Sequence, residues 1–309
     1  MNMAVSSMRP RAARRLRWGR LTPYWFVLPW VVGLAVFTLG PLLFSLVISF
    51  FDWPIIGAHH FIGFDNYSTM FTNDPLFWQA LGVTFKFAAI FVPLNLVSAL
   101  LLAMLLSRPA RGLSIYRTLF YLPAVVSGVA LALVWGWVFD GQYGLLNYLL
   151  SLVGISGPDW LNDPHWTLLA MVIASLWSQG AAMLIFLAAL KNISVELYEA
   201  AGIDGAGRLM TFLRITIPMI SPTILFNLIT SIIAAFQTLT LALVMTNGGP
   251  VRATYFYALY VYQNAFQGFQ MGYASANAWI MFLIIIALTL IVFKSSPRWV
   301  YYEGDVRGN

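Results

Sequence analysis

Residues 191–245 read KNISVELYEAAGIDGAGRLMTFLRITI over 191–217 and PMISPTILFNLITSIIAAFQTLTLALVM over 218–245. The second stretch carries no Asp, Glu, Lys or Arg. Hydrocarbon about 30 Å thick needs about 20 apolar helical residues to cross it, so this stretch reads as a membrane span. The charged stretch before it then lies in a loop at one membrane face. Five more long apolar runs, at about 21–51, 79–107, 117–139, 166–190 and 273–294, complete six candidate spans. Gly40-Pro41 predicts a kink in the first run, and Pro93 and Pro123 fall inside others. Proline removes an intrahelical hydrogen bond, and membrane helices tolerate this where neighbours satisfy the freed groups.

Composition agrees with a membrane chain. Hydrophobic residues make up 60% and charged residues 9%, against about 25% charged in a soluble domain. The lack of cysteine excludes disulfides, thiol catalysis and Cys-ligated metals. The net charge of +6 is explained by topology. Fifteen of the 17 basic residues lie in 1–20, 108–117, 191–217 and 294–309, leaving Arg252 in an outer loop and Lys86 near the outer end of span two. Lys and Arg accumulate on the cytoplasmic side, which places both termini and loop 191–217 in the cytosol. No nucleic-acid partner is needed to explain the charge. Arg9 to Arg20 precede an apolar run longer than the roughly 7–15 residues of a signal-peptide core, so they anchor the first span. The outer loops 52–78, 140–165 and 246–272 bring Trp53, Trp78, Tyr143, Trp160, Tyr255 and Tyr257 near span ends, where aromatic belts sit. The domain order is therefore a basic cytoplasmic segment (1–20), a transmembrane domain (21–294) and a cytoplasmic tail (295–309).

No acidic residue falls within a span, and His59, His60 and His165 all lie in outer loops. Proton-coupled transporters place ionisable groups inside the membrane, so an intrinsic proton relay is not expected. No carboxylate or Cys pattern completes a metal site around these histidines. Gly202 to Gly207 is glycine-rich, but no Lys-Ser or Lys-Thr follows it, so it is not a P-loop. An intramembrane enzyme would need a catalytic cluster at membrane depth, and none is present. A secondary transporter or channel acting without an ATPase is the alternative to energy supplied by another chain.

In loop 191–217, Ser194 can cap a helix and Glu196 then falls in its first turn, favourable to the dipole. Ala200, Ala201, Gly202, Gly205 and Ala206 present a low-profile surface, with Glu199 and Asp204 as charges. Pro218 can begin the next span at low cost. Physically the loop is equally a surface helix joining two spans or a docking surface. Resemblance separates the two. Glu199-Ala200-Ala201, Gly205, Ile215 and Pro218 resemble the EAA signature of binding-protein-dependent importer permeases, with Ile217 at its leucine position. The string from Glu196 to Ala206 is similar to the carbohydrate branch. So are Phe61-Ile62-Gly63-Phe64-Asp65-Asn66-Tyr67, Gly144-Leu145-Leu146-Asn147 and Thr246-Asn247-Gly248-Gly249-Pro250.

The resemblance implies an all-α membrane protein with the six-span fold of a type I ATP-binding-cassette (ABC) importer permease. It implies a second homologous permease subunit, two copies of a cytosolic ATPase that hold ATP and Mg²⁺, and an extracytoplasmic binding protein that delivers a sugar. This chain itself binds no cofactor and catalyses nothing. Glu199, Ala200, Ala201, Asp204, Gly205, Ala206 and Pro218 would form the ATPase-coupling surface. The location is the bacterial inner membrane. Polar groups within spans, among them Asn95, Ser127, Gln179, Asn227, Gln237, Thr240 and Asn277, are candidates for the pathway, with Phe236 and Trp279 as aromatic platforms. The narrower set is Gln179, Asn227, Gln237, Thr240 and Asn277. Such groups also bond between helices, at about 0.6–2 kcal/mol each. Gln237 and Thr240 lead because span five lines the pathway in the family.

Overall fold

The computed structural model describes residues 22–108 and 111–301. They fall into two compact units, divided between Val47 and Ile48. The first contains α1 (Thr22–Leu34) and most of α2 (Gly40–Ile48). Its apolar side chains are exposed all round, as with Phe26 at 82% and Phe37 at 81%, which is the surface of a lipid-facing helix. No sharp kink interrupts it at Gly40-Pro41. The helix widens to a π-turn at Ala35–Leu39, where the Gly40 N–H reaches the Ala35 carbonyl. This extra residue per turn accommodates the ring and missing donor of Pro41.

The second unit opens with a ribbon absent from the all-helical expectation. Strands β1 (Phe51–Asp52) and β2 (His60–Phe61) pair antiparallel, Phe51 opposite Phe61. Then come α3 (Asp65–Thr72), α4 (Pro75–Ser107), α5 (Leu113–Val125), α6 (Gly128–Val138) and α7 (Leu145–Leu152). They lead to α8 (Pro164–Leu176), α9 (Gly180–Lys191), α10 (Val195–Ile203), α11 (Arg208–Thr211) and α12 (Ile217–Met219). The unit ends with α13 (Ser221–Phe236), α14 (Thr240–Met245), α15 (Tyr257–Phe266) and α16 (Met271–Ser295).

Among the described residues four helices are long and apolar enough to cross a membrane, and up to six spans result if two bent pairs each count as one. The expected spans at 117–139, where Pro123 falls, and at 166–190 are each such a pair. α5 and α6 bend by 102°, and α8 and α9 by 51°. Helices α4 and α8 start earlier than expected because Asp74 and Asp163 cap them and Pro75 and Pro164 fill the first turn. A fully buried Ala99 and Ala103 lie one helical turn apart on α4 and leave room for α9. They belong to a core with Met183, Phe186, Leu187, Ile193 and Ile220. A second core, around Phe77, Phe87, Phe139, Tyr257 and Tyr260, fills the other end.

Candidate functional site

Helix α10 begins as the sequence predicts. Ser194 Oγ accepts from the Glu196 N–H at 3.2 Å and donates to its carboxylate at 2.9 Å. The helix ends in a Schellman turn. The Ala206 N–H bonds the Ala201 carbonyl at 2.9 Å, and the Gly205 N–H the Gly202 carbonyl at 3.1 Å. Gly205 has φ 74°, and no atom lies within 4 Å of where its Cβ would be. The need for glycine is therefore set by the backbone within this chain. Glu199, Ala200, Gly202, Asp204 and Gly205 are exposed, as is Ile203 at 87%. Ala201 turns inward and is buried, while Ala206 and Pro218 are half-buried.

The loop is fastened to the membrane part. Tyr198 Oη and Thr216 Oγ1 lie 3.1 Å apart. Ile193 and Ile220 enter the core built on α4 and α9, with Tyr198 and Ile217 against it. A second π-turn, Phe212–Thr216, precedes Pro218, with the Ile217 N–H bonded to the Phe212 carbonyl.

Two adjoining cavities lie among the spans. The first, about 390 Å³, includes Phe91, Asn95, Ser178, Gln179, Asn227 and Ser231 in its lining. The second, about 330 Å³, includes Val126, Gly128, Gln237, Thr238 and Thr240, and shares Phe91, Ser175, Ser178 and Ala234 with the first. Neither lining contains a charged side chain. Three helix breaks converge here: α5 to α6 at Val126-Ser127, α8 to α9 at Trp177–Gln179, and α13 to α14 at Gln237–Leu239. Non-helical backbone at membrane depth is tolerated where protein or a cavity surrounds it. Asn95 Nδ2 donates to Ser231 Oγ at 2.9 Å, and Ser98 Oγ donates to Gln179 Oε1 at 2.5 Å. Gly180 sets the bend tightly: a Cβ there would lie 2.5 Å from the Phe120 carbonyl oxygen.

The structure thus brings Gln179, Asn227, Gln237 and Thr240 together and places Asn277 elsewhere. Asn277 is buried, donating to the Tyr273 carbonyl at 2.9 Å and accepting from Tyr257 Oη at 3.2 Å. Phe236 is packed edge-on to Phe85 in the core, Trp279 edge-on to Phe282, and Phe91 is the aromatic side chain on both cavities. Ser175 and Ser178 went unnoticed in the sequence. Their signal was a short polar cluster, Ser175 to Gln179, inside an apolar run.

The motifs around Asn66, Asn147 and Thr246 are latches. Asn66 Nδ2 donates to the Ser49 and Phe51 carbonyls at 2.8 and 2.9 Å. Asn147 Nδ2 donates to the Gly141 and Pro158 carbonyls, and its Oδ1 accepts from Trp160 Nε1 at 2.7 Å. Thr254 Oγ1 donates to the Gly249 carbonyl and lies 2.7 Å from Thr246 Oγ1. Asp74 joins the ends of three helices. Its Oδ1 caps α4, and its Oδ2 accepts from Tyr260 Oη at 2.6 Å and Tyr273 Oη at 2.8 Å. Burial raises the carboxyl's proton affinity. The bonds from Tyr260, Tyr273 and the Leu76 and Phe77 amides outweigh it and hold Asp74 below the usual carboxylate range. Among the described residues, no group of three His, Cys, Asp or Glu could hold a metal ion.

Comparison with known proteins bears on the whole chain. It is 44% identical over 95% of its length to the probable ABC transporter permease protein YesP of Bacillus subtilis, covering 96% of that protein. It is 34% identical over 92% of its length to the sulfoquinovosyl glycerol transport system permease protein SmoG of Agrobacterium fabrum, covering 94% of it. A chain from the crystal structure of a bacterial ABC transporter involved in alginate import has the same fold, with a TM-score of 0.79 at 23% identity. That match covers 91% of this chain and 98% of the other. Residues 96–301 match the family described as binding-protein-dependent transport system inner membrane component. This chain belongs to that family of inner-membrane permeases.

Proposed function

We propose that the chain is the translocation subunit of an ATP-driven importer for a sugar or a related polyol or glycoside. The observation that carries this reading is the surface of α10. The helix and the turn that ends it expose Glu199, Ala200, Asp204, Gly205 and the apolar Ile203, in a chain whose sequence has no P-loop. A low-profile helix with an uncovered isoleucine and a carboxylate fits a cleft on a cytosolic ATPase. Two copies of that ATPase hold ATP and Mg²⁺; this chain binds neither and carries out no chemistry. A second homologous permease completes the pathway, and an extracytoplasmic binding protein delivers the solute. Both termini and α10 face the cytosol, in keeping with the distribution of Lys and Arg.

Closure of the ATPases moves α10, and the core at Ile193 and Ile220 passes the movement to α4 and α9. Those helices frame the cavities, which then open alternately to either side. The linings supply amides and hydroxyls without full charges, which suits a neutral polyhydroxylated solute. The test begins with thermal-shift screening of the cognate binding protein to identify that solute. Uptake of it by cells carrying Glu199→Lys should vanish while the protein remains in the membrane; normal uptake would refute the coupling role.

A further inference from the structure

A cavity of about 350 Å³ lies where the end of the coupling loop meets the C-terminal stretch. Its walls are Leu197, Ile215, Pro218, Met219, Tyr301 and a single charged residue, Arg214. Tyr301 is held there by its backbone. Its N–H donates to Ser221 Oγ at 2.8 Å, and Ser221 Oγ donates to the Pro218 carbonyl at 2.6 Å. Ser221 also opens the candidate span Ser221–Met245, so the cavity sits at the end of a membrane helix.

Two further features point to the same ligand. The only ion pair among the described residues joins His165 to Asp163, so Arg214 has no carboxylate partner among them. Just before Arg214 the chain exposes Leu209 at 71%, Met210 at 49% and Leu213 at 56%. Leu209 and Leu213 are one helical turn apart. A cation among apolar walls, beside exposed leucines at a span end, matches a lipid headgroup above its acyl chains.

We propose that this cavity binds an anionic phospholipid, with the headgroup phosphate on Arg214 and the acyl chains against the neighbouring apolar surface. The lipid braces the π-turn that leads into Pro218 and so holds the coupling loop at the bilayer edge. Its binding does not depend on which solute the protein carries.

The full-length chain, extracted with its co-purifying subunits, is loaded with phosphatidylglycerol, phosphatidylcholine or inorganic phosphate and examined by native mass spectrometry. Wild type should retain phosphatidylglycerol over phosphatidylcholine, and Arg214→Gln should retain roughly fivefold less of it. Inorganic phosphate should not compete. Equal retention by wild type and Arg214→Gln overturns the proposal, and competition by inorganic phosphate reassigns the cavity to a free anion. If Arg214→Gln fails to accumulate, Tyr301→Ala decides: loss of phosphatidylglycerol supports the site, and unchanged retention overturns it.

Discussion

Gly205 and Glu199 answer different demands within one short loop. Gly205 must adopt a left-handed backbone, which costs an ordinary residue about 1–2 kcal/mol. Asparagine tolerates that conformation better than branched residues do. Gly205→Asn should therefore keep most uptake and Gly205→Val lose it; the reverse order would show that steric fit, and not backbone, sets the requirement. Glu199 is exposed, and under the proposed function it serves a partner. On that reading its replacement by lysine should leave the fold intact and remove transport, which uptake and membrane immunoblots would check. Gln237 lies on the second cavity with an exposed side chain. Losing one hydrogen bond to the solute, about 0.5–1.5 kcal/mol, should raise the half-saturation constant of Gln237→Ala roughly two- to tenfold. Unchanged affinity and rate would remove Gln237 from the pathway. Asn277 shows why residue type alone misleads here. An amide inside an apolar run is equally a ligand contact or an interhelical bond, and Asn277 is held by Tyr257 and Tyr273.

Helix α9 begins where α8 ends in a 51° bend, and that bend rests on Gly180. Its Cα side faces the backbone of Phe120 and Tyr121, so a methyl group there has no flexible neighbour to displace. Gly180→Ala should cost about 1–3 kcal/mol and reduce transport, which thermal unfolding in detergent and uptake can measure. A melting point equal to wild type would show that α5 yields. The two π-turns share a logic. At Ala35–Leu39 and at Phe212–Thr216, the residue before a proline bonds five residues back. A proline inside a helix must displace its i−4 carbonyl, and widening the preceding turn does so without a sharp kink. Prolines marked these places in the sequence, but not whether the helix would widen, as before Pro41, or break, as after Pro123.

One end of the second unit is drawn together by Asp74, which joins the starts of α4 and α16 to α15. Its folded carboxyl titrates below the unfolded value of 3.8. The stabilisation is therefore complete above that value and fades as pH falls through the lower folded one. Asp74→Asn loses the charge-assisted part of these bonds, about 1–3 kcal/mol, at neutral pH. Its melting point should drop at pH 7 and converge with wild type in strong acid. A constant difference across pH would show that Asp74 acts through shape alone. The three asparagine and threonine latches serve the same end. They connect loops whose backbone would otherwise leave polar groups unpaired.

The apolar runs and the capped helix at Ser194 followed from composition and local chemistry, and the distribution of Lys and Arg is the basis of the proposed sidedness. Bilayer thickness sets span length, and a helix cap needs only neighbouring residues. The Asp-Pro pairs at 74–75 and 163–164 were a local signal for the starts of α4 and α8, but apolar runs beginning at 79 and 166 do not register it. The convergence of three helix breaks on one pair of cavities needed the packed chain. So did the separation of Asn277 from Gln179, Asn227, Gln237 and Thr240. These depend on contacts such as Gly180 on Phe120 and Ser98 on Gln179, between residues distant in sequence. Hydropathy reports what each residue prefers to touch, but not which of many apolar neighbours it meets, and that is decided by how the helices pack.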